Sequence, residues 1–266
     1  MELTVNGKRA FASTGGRAFD PARPVVAFLH GAGMDRSVWS GQVRYFANHG
    51  WSVLALDLPG HGHSAGPALP DIHAMADWVA DALAEAGASK AALVGHSMGA
   101  LVALATAARH PARVTALALL GAAAHMPVHP DLLKAAALHD HAALDSMVNW
   151  GVGRPAHLGG HIAPGLWVTG ASLRLLERID YGVLANDLGA CNAYDDGPAD
   201  AAKAYCPALV LIGAADRMAP PKAGKALAER LPAPTVAVLP VAGHMMMVEK
   251  PDETLDALID FLAGAA

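Results

Sequence analysis

Charged side chains make up only 16 % of the 266 residues and aromatic ones only 5 %, and there are just two cysteines. Each shortage excludes something. A disordered chain would be rich in charge and poor in apolar residues, whereas 53 % of this one is hydrophobic. Cys191 and Cys206 are too few for a disulfide framework, and such usage suits a reducing compartment. The 19 basic residues are outnumbered by 24 acidic ones, for a net charge of −5. That balance carries no basic footprint for nucleic acid. The longest apolar run, Ala116 to Ala124, stops at His125. A bilayer span needs about 20 apolar residues, so no membrane partner is expected. The N-terminal stretch MELTVNGKRA has no apolar region after its charges. No secretory signal is therefore expected, and the expected location is the cytoplasm. There is no lysine of a phosphate-binding GxxxxGK[ST] loop and no dinucleotide GxGxxG after a strand, so no cofactor is expected.

What is present alternates. Val25–His30, Ser52–Asp57, Ala91–Gly95, Val114–Leu120, Ala208–Gly213 and Val236–Leu239 read as short apolar strands bounded by Gly or Pro. Near-continuous apolar strands indicate a parallel sheet buried on both faces. Between them, Ile72, Met75, Val79 and Leu83 recur at helical steps behind a capping Asp71, and Gly87 ends the run. Met98–Arg109 is Ala- and Leu-rich, Pro220-Pro221 opens another helix, and Leu255, Leu258, Ile259 and Leu262 share a face of the last. This order predicts an α/β fold with a doubly wound, mostly parallel sheet.

One stretch breaks the rhythm. From 122 to 204 there is no convincing strand, only helical pieces near Asp131–His139, Leu144–Asn149 and Leu173–Tyr181. Loops beyond about 12–15 residues are uncommon in compact domains. The expected organisation is a core of 1–121 and 205–266 with a helical cap, 122–204, inserted between strands. Nothing in the chain specifies an oligomer.

The chemistry concentrates at strand ends. Gly95-His96-Ser97-Met98-Gly99 follows a strand and opens a helix, the context of a nucleophile elbow. Its glycines suit a turn where strand and helix pass too closely for a Cβ. A serine hydroxyl needs a base, and the base needs an acid to hold its tautomer. His244, in Val241-Ala242-Gly243-His244 after the last strand, and Asp216, in Gly213-Ala214-Ala215-Asp216, fit the chain order Ser, acid, His. Asp216 also fits as a cap for the Pro220 helix, with Asp195 or Asp196 as fallback acids. The turn His30-Gly31-Ala32-Gly33 follows the first apolar strand, and an oxyanion hole is expected from the N–H groups of Ala32 and Met98. His30 itself reads as a structural hydrogen-bonding residue below that turn. The histidine-rich stretches, such as His139-x-His141, lack an acidic or cysteine ligand cluster, so no metal is expected.

Together HGAGMD at 30–35, DLPGHGHS at 57–64, GHSMG at 95–99, GAAD at 213–216 and AGH at 242–244 resemble the α/β-hydrolase superfamily with a serine nucleophile. The resemblance implies an α/β-hydrolase fold. It implies Ser97 as nucleophile, His244 as base, Asp216 as acid, and Ala32 and Met98 as oxyanion donors. It gives the loop 57–64 a structural role. Relatives with an elbow aspartate, the haloalkane dehalogenases and epoxide hydrolases, are disfavoured by Ser97. The expected activity is hydrolysis of a small-molecule carboxylic ester without a cofactor. Met126, Met147, Trp150, Leu166 and Trp167 of the cap are expected to line the substrate pocket. Rival readings are a carbon–carbon bond hydrolase using Arg154 or Arg174 for a substrate carboxylate, a lactonase or monoacylglycerol lipase, and a non-catalytic small-molecule receptor.

Overall fold

A computed structural model describes residues 1–159, 161 and 165–264. The chain begins with a hairpin absent from the strand pattern above. β1 (Glu2–Val5) and β2 (Lys8–Ser13) pair antiparallel, with Val5 opposite Lys8. Their two-residue link, Asn6-Gly7, has φ of 51° and 75°, the two positive values a type I′ turn requires. β3 (Val25–Leu29) leads through α1 (Ser40–Asn48) to β4 (Ser52–Asp57). From there α2 (Ile72–Glu85) returns the chain to β5 (Ala91–His96), and α3 (Met98–Arg109) precedes β6 (Val114–Leu120). Five helices follow: α4 (Pro130–Ala137), α5 (Ala142–Gly151), α6 (Val168–Leu176), α7 (Val183–Ala193) and α8 (Gly197–Lys203). β7 (Ala208–Gly213), α9 (Pro221–Ala228), β8 (Pro234–Leu239), α10 (Met246–Glu249) and α11 (Pro251–Leu262) complete the chain.

The eight strands form one sheet in the order β1-β2-β4-β3-β5-β6-β7-β8, parallel from β4 to β8. β2 runs antiparallel to both neighbours. β3, β4, β5 and β7 are buried at every position, as expected where helices cover both faces. β8 departs from that expectation. It is the edge strand and leaves Val236 and Val238 exposed, because only one neighbour and few covering side chains reach it.

Helix boundaries follow local chemistry. The Asp71 carboxylate accepts the Ala74 N–H at 2.7 Å, and Gly87, at φ 79°, stops α2 in the left-handed region. α3 is buried from Met98 to Thr106, which its small side chains permit between the sheet and α2. α8 packs against α3 as well. Strand order reverses between β4-β3 and β3-β5, and at such a switch point the carboxyl ends of the strands diverge and leave a crevice. α4 to α7 face that crevice. Among the described residues, no helix is long and apolar enough to cross a membrane.

Candidate active site

Ser97 sits between β5 and α3 with φ 53° and ψ −118°. A non-glycine residue held there costs about 1–3 kcal/mol, and the surroundings hold it firmly. Its N–H donates to the Leu120 carbonyl, and its own carbonyl accepts from Ala100 and Leu101. A Cβ on Gly95 would stand 2.2 Å from the Gly99 carbonyl oxygen, and one on Gly99 would stand 2.3 Å from that of Leu29. The two glycines thus let β5, α3 and β3 converge and push Ser97 out at the apex.

The loop after β8 brings His244 to the same place. Its Nδ1 lies 2.8 Å from Asp216 Oδ2, and both side chains are buried. The carboxylate can only accept, so Nδ1 carries a proton, and in the neutral ring Nε2 is the bare nitrogen. Nε2 has no hydrogen-bond partner among the described residues. The other Asp216 oxygen accepts the N–H groups of Met218 and Ala219, each at 2.8 Å. Asp216 therefore both orients His244 and caps the turn before α9. Asp195 and Asp196 lie elsewhere: Asp195 pairs with His125 at 3.2 Å on the surface, and Asp196 faces His73.

Two residues unforeseen from sequence hold this loop. The His96 ring is wholly buried, and its Nε2–H donates to the His244 carbonyl at 3.0 Å. Burial, aided by the neighbouring His244 ring, drives its pKa well below the ordinary histidine value, so it stays neutral. Glu249 accepts the N–H groups of Gly153, Gly243 and Met245 at 2.9–3.0 Å. Burial raises its pKa, and those three donors only partly offset the effect. Gly243 and Gly153 both approach the carboxylate too closely to carry a Cβ. The Gly151 carbonyl at the end of α5 accepts both the His244 and Met245 N–H groups. In sequence, His96 is one histidine among 14 and Glu249 reads as a surface helix residue. Only their contacts across the fold mark them.

The turn after β3 faces Ser97. His30 donates from Nδ1 to the Gly31 carbonyl and accepts the Leu58 N–H at Nε2. Burial, reinforced by the nearby His61 ring, lowers its pKa to about 4. It is a neutral structural ring. Met98, as the first residue of α3, has an N–H without an intrahelical acceptor. The loop 57–64 is knitted internally: Asp57 accepts the Arg36 and His63 N–H groups and pairs with the Arg36 guanidinium, while Ser64 Oγ donates to the Asp57 carbonyl.

Two cavities meet at Ala32 and Ser97. The narrower one, with a volume of about 20 Å³, has His244 and Met245 on the sheet side and Met147, Val148 and Leu176 from the helices opposite. The wider one, about 310 Å³, is lined by Met126, Trp150, Leu188, His129 and Arg217. Met126, Met147 and Trp150 are thus brought to the site. Leu166 and Trp167 are not: they are 42 % and 62 % exposed and line neither cavity. The Trp167 ring folds back over Gly170 and its Nε1–H donates to the His157 carbonyl, which holds it on the outer surface. Arg174 is on the surface too, paired with Glu177. No group of three or more His, Cys, Asp or Glu among the described residues is placed to hold a metal ion.

Residues 24–156 match the family described as alpha/beta hydrolase fold. The chain is also 34 % identical over 249 residues to the pimeloyl-[acyl-carrier protein] methyl ester esterase of Chromobacterium violaceum, covering 91 % of this chain and 96 % of that protein. The chain belongs to the α/β-hydrolase fold family. Among solved structures, this α/β hydrolase superposes on the enol-lactonase of Burkholderia xenovorans LB400 with a TM-score of 0.88 and 26 % identity, over 99 % of this chain and all of that one. A thermophilic esterase matches with a TM-score of 0.84 and 27 % identity, over 100 % and 98 %. Being an α/β hydrolase explains why Ser97, Asp216 and His244 all stand on loops at carboxyl ends of strands, where this architecture builds its sites.

Proposed function

We propose that this α/β hydrolase cleaves small-molecule carboxylic esters through an acyl-enzyme on Ser97. The observation that carries this reading is the buried Asp216–His244 pair, whose bare Nε2 belongs to a ring that lines one cavity with the strained Ser97. The esterase and lactonase activities named for the relatives support the same chemistry. Ser97 Oγ attacks the ester carbonyl while His244 Nε2 takes its proton. Asp216 keeps the imidazole in the required tautomer and stabilises its charged form. The oxyanion develops against the N–H groups of Ala32 and Met98, each worth about 2.7–4 kcal/mol in such a hole. The alcohol leaves with the proton from His244. Water then attacks the acyl-enzyme by the reverse route.

Residues 122–204 act as a cap, since α4 to α7 supply the wall opposite Ser97. The narrower arm takes an apolar group. The wider arm, with Arg217 and His129 on its wall, takes the longer or more polar part of the ester. A cytoplasmic setting belongs to the same reading, supported by the sparse cysteine usage. The test is covalent: a fluorophosphonate is expected to label Ser97 and abolish turnover of short p-nitrophenyl esters. An adduct mapped by mass spectrometry to another serine, or no turnover at all, overturns the assignment. Parallel assays of linear esters, lactones and β-diketones separate ester cleavage from carbon–carbon bond cleavage.

A further inference from the structure

Asp187 is a carboxylate fully buried in the middle of α7. Its Oδ2 accepts the Gly33 N–H at 2.8 Å and faces His61 Nε2 at 2.8 Å. These partners lie 154 and 126 residues away in sequence, one in the turn after β3 and the other in the loop after β4. The other His61 ring nitrogen, Nδ1, faces the Pro59 carbonyl at 3.1 Å. Both ring nitrogens thus face acceptors, so the ring is satisfied only when doubly protonated. Burial pulls the His61 pKa down, but Asp187 outweighs it and the net shift is upward. The adjacent His30 ring, 4.8 Å away between centroids, is held neutral. The result is one histidine whose charged form is favoured and one neutral histidine beneath the same turn.

The His30 ring and the Asp187 carboxylate hold consecutive peptide groups. The Gly31–Ala32 peptide carries the Ala32 N–H proposed as oxyanion donor, and its carbonyl is held by His30 Nδ1 and the Met34 N–H. The next peptide, Ala32–Gly33, carries the Gly33 N–H, which Asp187 holds. Gly33 has φ 66°, and a Cβ there would meet Leu176 and Leu184 at 3.0–3.1 Å. The helices α6 and α7 therefore rest directly on the turn.

We infer that Asp187 is a positioning residue for the oxyanion hole: by holding the Gly33 N–H from α7, it sets the Ala32 N–H toward Ser97 and makes that hole depend on the docked inserted helices. A fixed turn offers its donor without reorganisation when charge develops, and a misplacement of about 1 Å can cost on the order of 10²-fold in rate. The inference rests on the proposed oxyanion role of Ala32.

The test compares Asp187→Ala and Asp187→Asn with the wild-type enzyme on p-nitrophenyl acetate, together with inhibition by phenylboronic acid, which adds to Ser97 as a tetrahedral adduct. Asp187→Ala is expected to lower kcat by about 10- to 100-fold with KM moved less than about threefold. Boronate affinity should fall by a similar factor. Asp187→Asn can keep an oxygen in the place of Oδ2, where it still accepts from both the Gly33 N–H and the His61 Nε2–H, so kcat is expected to return to within about threefold of wild type. An Asp187→Ala enzyme with wild-type kcat and boronate affinity but a lower Tm overturns the proposal and leaves the pair as a mere tie between α7 and the core. Should Asp187→Ala not fold, Asp187→Ser, too short to reach Gly33, is read by the same two quantities. Absence of Ser97 labelling in the wild type defeats the proposed function itself. Labelled wild type with an unaffected Asp187→Ala defeats only this inference.

Discussion

Among the described residues two buried histidine–aspartate pairs stand at 2.8 Å, and they are wired oppositely. His244 meets Asp216 through Nδ1 and keeps Nε2 without a partner, on a ring that lines a cavity with Ser97. His61 meets Asp187 through Nε2 and spends Nδ1 on the Pro59 carbonyl. The first pair has a lone pair with which to take a proton. The second has both ring nitrogens engaged by acceptors and holds the loop. Residue type and distance are the same in the two pairs, so what separates the proposed base from a brace is which nitrogen the carboxylate occupies and what the other one faces.

The sharpest way to break this comparison is to remove each ring. His244→Gln is expected to lower kcat by about 10⁶-fold, as when a triad base is lost, with little change in Tm. His61→Gln leaves Asp187 holding the Gly33 N–H, so kcat should stay within about threefold of wild type while Tm falls. Comparable kcat losses in the two variants, measured on one ester, would refute the division of roles.

A smaller effect is expected from the carboxylates. Asp216→Asn removes the acceptor that keeps the His244 proton on Nδ1 and should lower kcat by about 10⁴-fold without unfolding the protein. The same change at Asp187 is nearly silent in rate, as argued above. A near-wild-type Asp216→Asn would show that another group orients His244.

The smallest effect is on stability and its pH dependence. The folded-state pKa of His61 is raised, since the pull of Asp187 exceeds the cost of burial. A raised pKa gives stabilisation that is complete below the unfolded value of about 6.5 and fades as pH rises through the folded value. The groups facing this pair are His30, neutral down to about pH 4, and Cys191 on α7, whose thiol is pushed up by burial and by Asp187. Neither changes charge across neutral pH. Urea unfolding of wild type and Asp187→Asn should therefore differ most near about pH 6 and least near about pH 9. A gap that widens with pH would argue that His61 is not charged in the fold.

Much of the first pair was legible in the chain and almost none of the second. Ser97, Asp216 and His244 each follow a short apolar strand, with glycines at 95, 99, 213 and 243 marking close backbone approaches. Even the missed hairpin had its signal in Val5-Asn6-Gly7-Lys8, a dipeptide that favours the turn observed. Asp187 had no such marker. α7 buries Val183, Leu184, Asp187, Leu188, Ala190 and Cys191, which share one helical face with Asp187 near its centre, and nothing local says what a lone carboxylate on that face meets. The expectation that Leu166 and Trp167 line the pocket failed for a related reason. Hydrophobicity says that a side chain seeks cover, but Trp167 lies over Gly170 on the surface and stays mostly exposed.

By itself, then, the sequence determined the α/β alternation, the long helical insertion between β6 and β7, and the three residues of the Ser–Asp–His order. Strand burial and tight turns are local properties, written in runs of four to eight residues. Tertiary structure alone decided which histidine keeps a free nitrogen, which carboxylates are buried, and which inserted side chains face Ser97. Those outcomes depend on donors and acceptors that meet across more than a hundred residues of chain, where no local pattern can record the pairing.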